Sequence, residues 1–204
     1  MGNAFLPLFV VGPCLSMGGI VSYTDGEGYT TLYAYDENGN LIKVTDPRGN
    51  SRSAEYDALN RRVSSVNEEG GSISLTYDAL GRITKAVNED GAVTEYEYDA
   101  KGRVTGIKDA YGHYKYFEYD PMDRVTAVTD ENEVRREYEY DFKGNLTKYK
   151  DGRGFTEAYT YDANDNRTSV TDRNGKTSIG RDLLNRVTEV TDHNGRRQHT
   201  VGTM

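Results

Sequence analysis

Apolar and polar positions alternate along this chain in short runs that return every 21 residues. Two residues before a recurring tyrosine position stand Tyr33, Ala54, Leu75, Tyr96, Phe117, Tyr138, Tyr159 and Ile179, all apolar or aromatic. One residue before it stand Ala34, Glu55, Thr76, Glu97, Glu118, Glu139, Thr160 and Gly180, which are small or polar. A period of two puts the first set and the tyrosines on one face of a strand and the glutamates on the other. Runs such as Val93–Tyr98, VTEYEY, are rich in the aromatic and β-branched types that suit a pleated surface. Each run is therefore predicted to be a strand.

The turns are equally regular. Four residues after the tyrosine position the chain has Gly39, Asn60, Gly81, Gly102, Asp123, Gly144, Asp165 and Asn185, the residue types that best tolerate a positive φ. A second column holds Gly28, Gly49, Gly70, Gly91, Gly112, Gly154, Gly175 and Gly195, with Glu133 its one departure. Between the columns lie short strand-like runs such as Arg103–Ile107 and Arg186–Val190. Each repeat thus reads as strand, tight turn, strand, tight turn. Like columns are expected to stack on like, tyrosine near tyrosine across the sheet.

The marker of the repeat is a Tyr-Asp pair: Tyr35-Asp36, Tyr56-Asp57, Tyr77-Asp78, Tyr98-Asp99, Tyr119-Asp120, Tyr140-Asp141 and Tyr161-Asp162. An eighth copy begins one residue early, at Arg181-Asp182, without its tyrosine. The array is read as running from 18 to 204, after an apolar lead-in of residues 1–17. A strict period of this size means that each unit buries its apolar face against its neighbours, so fold and function belong to the array. The ends of such a ribbon expose unpaired strand edges, which predicts edge-to-edge self-association unless they are covered.

Composition narrows the function. The net charge is −8 with an isoelectric point near 5.0, and positive residues are scattered, which argues against a nucleic-acid surface. Seventeen tyrosines and no tryptophan predict a thin core of amphipathic rings. A single cysteine, Cys14, rules out an internal disulfide or a cysteine-based metal site. Pro7 and Pro13 break the apolar lead-in and no Lys or Arg precedes Lys43, so it does not read as a signal peptide. No run approaches membrane-spanning length.

Candidate chemistry is weighed against this background. The 33 carboxylates recur once or more per repeat, and identical columns do not build the unique cleft of an acid–base hydrolase. Asp36–Asn40 and Asp162–Asn166 carry the acidic and amide residues of a calcium loop but lack its glycine and closing glutamate. The aspartate after each tyrosine is expected to accept turn amide hydrogens two residues on. His113, His193 and His199 share no metal-type spacing. No catalytic, cofactor or metal residue is assigned, and the site positions are structural: the seven Tyr-Asp pairs with Gly39, Gly81, Gly102 and Gly144. The alternative is an interaction module whose aromatic columns bind glycan or protein at a cell surface.

The Tyr-Asp pair, the steps Gly81-Arg82-Ile83-Thr84 and Gly102-Arg103-Val104-Thr105, and the steps Val44-Thr45-Asp46, Val128-Thr129-Asp130, Val170-Thr171-Asp172 and Val190-Thr191-Asp192 resemble the Rhs/YD-repeat family. The resemblance implies an all-β ribbon of repeated hairpins that curls or spirals into a hollow shell and, in bacterial polymorphic toxins, encloses a C-terminal toxic domain. It implies a scaffold without enzymatic activity of its own, secreted or at the cell surface as part of a larger bacterial protein. Its partners would be further repeat and core segments and the toxin. The core segment with its aspartate-dependent self-cleavage site finds no match: Asp46-Pro47 and Asp120-Pro121 lie inside ordinary repeats.

Overall fold

The computed structural model describes residues 19–182 and 184–199, so the lead-in of residues 1–17, with Cys14, lies outside the described residues. The regular elements are 18 β-strands, and no helix occurs among the described residues. In chain order they begin β1 (Ile20–Thr24), β2 (Thr30–Tyr35), β3 (Leu41–Thr45), β4 (Ser51–Tyr56), β5 (Arg62–Val66), β6 (Ser72–Tyr77), β7 (Ile83–Val87), β8 (Val93–Tyr98) and β9 (Val104–Lys108). They continue as β10 (Tyr114–Tyr119), β11 (Val125–Thr129), β12 (Arg135–Tyr140), β13 (Leu146–Lys150), β14 (Thr156–Tyr161), β15 (Arg167–Asp172), β16 (Gly175–Arg181), β17 (Val187–Thr191) and β18 (Arg197–His199). Long strands end on the tyrosine and short strands follow the turn, starting one residue later than the sequence suggests.

The chain divides into two compact units, one reaching Glu97 and including Lys108–Tyr111, the other formed by Tyr98–Ile107 and the residues from Gly112 onward. In the first, β1 to β8 pair antiparallel in sequence order. In the second, β10 to β18 do the same.

Both turn columns have one architecture, a three-residue loop closed by a residue in the left-handed region. In the Tyr-Asp turn the Gly39 amide donates to the Asp36 carbonyl (3.1 Å) and the Asp36 amide to the Asn40 carbonyl (2.9 Å). In the second turn Gly49 and Asp46 repeat this pattern, at 3.0 and 2.9 Å, with Asn50 as the closing carbonyl. The left-handed geometry is kept where glycine is absent: φ is 59° at Asn60, 66° at Asp123, 64° at Asp165, 65° at Asn185 and 60° at Glu133.

The eighth copy comes early because one turn is shorter. Asp172 pairs directly with Gly175, so Arg173 and Asn174 form a two-residue connection in place of three.

A feature absent from the sequence reading recurs at the end of the long strands. The register shifts by one residue just before the tyrosine, between Thr76 and Tyr77, Glu118 and Tyr119, Glu139 and Tyr140, and Thr160 and Tyr161. Thr76 faces Lys85 while Tyr77 faces Ile83, which leaves Thr84 as the extra residue of a β-bulge. This is the threonine of the Gly-Arg-Ile-Thr step. Its hydroxyl donates to the Thr76 carbonyl (3.3 Å), and that of Thr147 to the Glu139 carbonyl (3.1 Å), which gives the unpaired residue a tether to the opposite strand.

The two faces differ as the alternation requires. One carries cross-strand neighbours such as Tyr33–Val44, Phe117–Val128, Tyr138–Tyr149 and Tyr159–Val170. The other carries Glu118–Ala127–Glu137 and Thr160–Ser169–Ser178. The repeat tyrosines are only half-buried, and tyrosine meets tyrosine elsewhere, as at Tyr114–Tyr116 and Tyr138–Tyr149. Tyr56 and Tyr77 stand on strands separated by β5, too far for ring contact, and an arginine takes the intervening place. The rings of Tyr138 and Tyr149 do meet, at 5.5 Å between centroids, on neighbouring strands.

Close packing instead occurs on the polar face. Ala127, 1% exposed, is the one buried apolar side chain among the described residues. The guanidinium of Arg135 on β12 reaches Glu118 on β10 and so crosses β11 on the face that carries Ala127, while also bonding Glu137 at 3.1 Å. Ala127 in β11 thus lies beneath the arginine, and Ser169 in β15, 2% exposed, is bonded to the Thr160 hydroxyl on the neighbouring strand.

Candidate functional site

The Tyr-Asp turns line one edge of each unit, and each is organised by its aspartate. Asp78 Oδ1 accepts the amides of Leu80 (2.9 Å) and Arg82 (3.0 Å), and Oδ2 accepts Arg82 Nε (2.6 Å). Asp57, Asp99, Asp120 and Asp182 bind Arg61, Arg103, Arg124 and Arg186 in the same way. At Asp36, Asp141 and Asp162 the partner is the side-chain amide of Asn40, Asn145 or Asn166. Beyond the amide two residues on, each carboxylate therefore takes a second amide and a side chain four residues on.

The arginine then crosses to the next repeat. Arg61 Nη1 donates to the Asp78 carbonyl (3.1 Å) and Arg103 Nη1 to the Asp120 carbonyl (2.9 Å), and Arg124 bonds the Asp141 carbonyl similarly. The same guanidinium lies over the tyrosine of that next repeat, at 4.6 Å for Arg61 on Tyr77, 4.6 Å for Arg103 on Tyr119 and 4.9 Å for Arg124 on Tyr140. Four of the tyrosine hydroxyls reach back across the sheet: Tyr77 donates to the Arg62 carbonyl (2.8 Å), Tyr119 to Val104 (2.7 Å), Tyr161 to Leu146 (2.8 Å) and Tyr56 to Leu41 (3.3 Å). At Arg61, Arg103 and Arg124 the aspartate, the arginine and the following tyrosine thus form a ladder that bonds one repeat to the next. Arginine suits this place because its planar fork can bond a carboxylate and a carbonyl while stacking on a ring.

These contacts fix the charge state of the column. The side-chain bond from Arg61 first, then the Arg61 amide, holds Asp57 below its ordinary carboxylate range. The amides of Asn40 and Asn145 do the same for Asp36 and Asp141. A carboxylate saturated with donors is poorly suited to exchange protons with a substrate. On the strands, burial first and then Glu157 push the Tyr159 hydroxyl up to about 12.

The second edge uses an Asp/Asn column in the same role. Asp46 accepts from the amides of Arg48 and Asn50, Asn67 from Glu69 and Gly71, and Asn88 from Asp90 and Ala92. Neighbouring turns press together there, since a Cβ on Gly152 would fall 1.9 Å from Val134 Cγ1. The sequence shows this column as the Asp of Val-Thr-Asp and the arginine column as the Arg of Gly-Arg, but gives neither a role. Their invariant spacing to the turn was the available signal.

His113, His193 and His199 are exposed. Among the described residues no group of three or more His, Cys, Asp and Glu side chains converges as metal ligands. The calcium-loop residues Asp36 and Asp162 spend both carboxylate oxygens on their own turns. The concavities are open grooves on the sheet, such as the one lined by Arg124, Arg135, Glu137 and Tyr138.

Comparison with known proteins places this geometry. The RHS Repeat model matches residues 19–51, 35–73, 56–93 and 77–114, and the Teneurin YD-shell model matches residues 117–196. No curated protein matches the chain significantly. Among solved structures, the TcdB2-TccC3-Cdc42 crystal structure is similar with a TM-score of 0.55 and 21% identity, over 84% of this chain and 12% of that one. A Photorhabdus luminescens Tc holotoxin pore is similar with a TM-score of 0.53 and 17% identity, over 86% of this chain and 13% of that one. At such identities the likeness concerns the fold, and the chain spans roughly an eighth of the structures it matches. The Tyr-Asp period, the bonded turn ladder and the two models that together match most of the sequence lead to one conclusion: the chain belongs to the Rhs/YD-repeat family.

Proposed function

We propose that this chain is a non-enzymatic structural module, a segment of the wall of an Rhs-type shell that curls around a cargo. Its partners are further repeat and core segments and a C-terminal toxin domain, and it works outside the producing cell or at its surface. The observation that carries this reading is the division of labour in the sheet. Successive hairpins are bonded through the Arg61–Asp78 and Arg103–Asp120 contacts, while the aromatic face stays half-covered. A wall needs the first property, and a self-contained globule would need a second layer over that face. The Tc toxin assemblies named in the structural comparison support the same reading.

The test is to compare residues 1–204 with a longer natural version of the chain that carries more repeats and the core segment. The expected result is self-association and rapid proteolysis of the short form, with a monomeric, resistant long form. A short form that is monomeric, resistant and saturably bound by a defined glycan overturns the shell reading and favours a surface-binding module.

A further inference from the structure

The hairpins of this array are nearly interchangeable. Short turns fix the register of consecutive strands, but a misalignment that loops out one whole repeat would keep every other apolar face and turn column in place, so the hydrophobic pattern does not oppose it. The arginine ladder does not oppose it either, because Arg61, Arg82, Arg103 and Arg124 are equivalent.

One pair of positions does discriminate. At Lys101 and Lys143 the residue at the tip of a Tyr-Asp turn, two after the aspartate, lies beside the left-handed residue of the next turn. Lysine occupies the tip in two turns, and in both the next left-handed residue is aspartate. Lys101 Nζ lies 3.0 Å from Asp123 Oδ1, and Lys143 Nζ 2.9 Å from Asp165 Oδ1. Each lysine also donates to a backbone carbonyl of that next turn, Pro121 at 3.0 Å and Ala163 at 2.7 Å. Where the tip is Leu59, Leu80 or Met122, the next left-handed residue is Gly81, Gly102 or Gly144, and where it is Asn38 or Asn164 the next is Asn60 or Asn185.

We propose that the tip residue of each Tyr-Asp turn and the left-handed residue of the following turn form a pairing key that sets the order and register of the hairpins. A lysine tip selects an aspartate, and an uncharged tip selects an uncharged neighbour. A slipped array would set Lys101 beside Gly144, without an ion-pair partner, and Asp123 beside the apolar tip Leu80, where it would keep only the arginine contact that Arg103 now makes at 2.8 Å and lose the lysine. This inference goes beyond the shell reading, since it holds whether or not a cargo is enclosed. It also extends to hairpins supplied by another chain, which would have to carry the matching residue.

The test uses the full chain and variants of unchanged composition. The double variant Lys101→Met/Met122→Lys breaks the key, and the quadruple variant that adds Asp123→Gly/Gly144→Asp restores it one repeat later. The double variant is expected to lower the folding equilibrium constant about two- to fivefold, the range available to an exposed ion pair. It should also show more than one set of backbone amide resonances after refolding. The quadruple variant should recover both the wild-type constant and a single set. At about 1 M salt, where the screening length falls to ~3 Å, the double variant and the wild type should converge. A double variant that behaves as wild type, or a quadruple variant no better than the double, overturns the proposal. A stability loss with one homogeneous set of resonances throughout overturns it as well, because the pair would then be an ordinary surface contact.

Discussion

The guanidinium of Arg61 lies over the ring of Tyr77, 4.6 Å from its centre, although the two residues belong to successive repeats. Arg61 is bonded at the same time to its own Asp57 and to the carbonyl of Asp78. Replacing Arg61 by lysine keeps the charge and loses the plane, so it should lower the urea midpoint of unfolding. Arg62→Lys, at an exposed neighbour, should leave it unchanged. A double-mutant cycle with Tyr77→Leu should return a coupling of about 0.5–1 kcal/mol, the range for an exposed cation–π contact. Strict additivity would mean that the stacking contributes nothing.

The left-handed column makes a second prediction. Gly81 has a φ of 82°, a conformation that strains a β-branched residue by about 1–3 kcal/mol. Gly81→Val should destabilise the chain by that amount, while Leu80→Val, next to it on an exposed tip, should be near neutral. Equal midpoints for the two variants in a denaturant series would contradict the turn geometry.

Acid should unfold the array by releasing its turns. Asp57, Asp78 and Asp141 are held below their ordinary range, chiefly by the Arg61 side chain, the Arg82 amide and the Asn145 side chain respectively. Carboxylates with lowered folded values stabilise the fold above the unfolded value of about 3.9 and lose that contribution as pH falls through the folded values. The unfolding midpoint should be flat between about pH 6 and 8 and should fall below about pH 4. Asp57→Asn should lower stability at neutral pH and weaken the acid dependence. A midpoint that rises on acidification would contradict this account.

The bulge offers a fourth test. Thr147→Val preserves the shape and β-branching of the extra residue and removes its bond to the Glu139 carbonyl. The expected loss is about 0.5–1.5 kcal/mol, that of one net hydrogen bond. The matching comparison is Thr147→Ser, which keeps the hydroxyl and should recover much of the loss.

Much of this fold was legible before any coordinates. Strands such as Val93–Tyr98 follow from alternation, and the turn residues from the tolerance of Gly, Asn and Asp for positive φ, because both are local properties of the backbone. What joins one repeat to the next was not legible. Arg61 was visible as a motif letter, yet its partners Tyr77 and Asp78 lie 16 and 17 residues away and meet it only once the register is known. The burial of Ala127 was hidden for the same reason, since it depends on Arg135 reaching over an intervening strand. Even the tyrosine column, correctly placed on one face, suggested ring against ring because alternation says nothing about which strand comes between.

The bulge that recurs before the repeat tyrosines also settles a question of counting. Residues directly opposite each other share a face, and a strand changes face at every step, so an array with an even number of residues per repeat stays in phase with no correction. This array repeats every 21 residues, an odd number, and uncorrected it would turn its aromatic side over at each copy. The single extra residue at Thr126 and at Thr147 changes the parity of one hairpin per repeat and brings Phe117, Tyr138 and Tyr159 back to the same side. The shortened connection at Arg173-Asn174 obeys the same arithmetic: the step from Tyr159 to Ile179 is 20 residues, and the parity of the turn changes with it. A one-residue deletion is thus accepted here where it falls in a turn, whose pairing changes with it, whereas one inside a strand, with no bulge to absorb it, would invert every hairpin downstream of it.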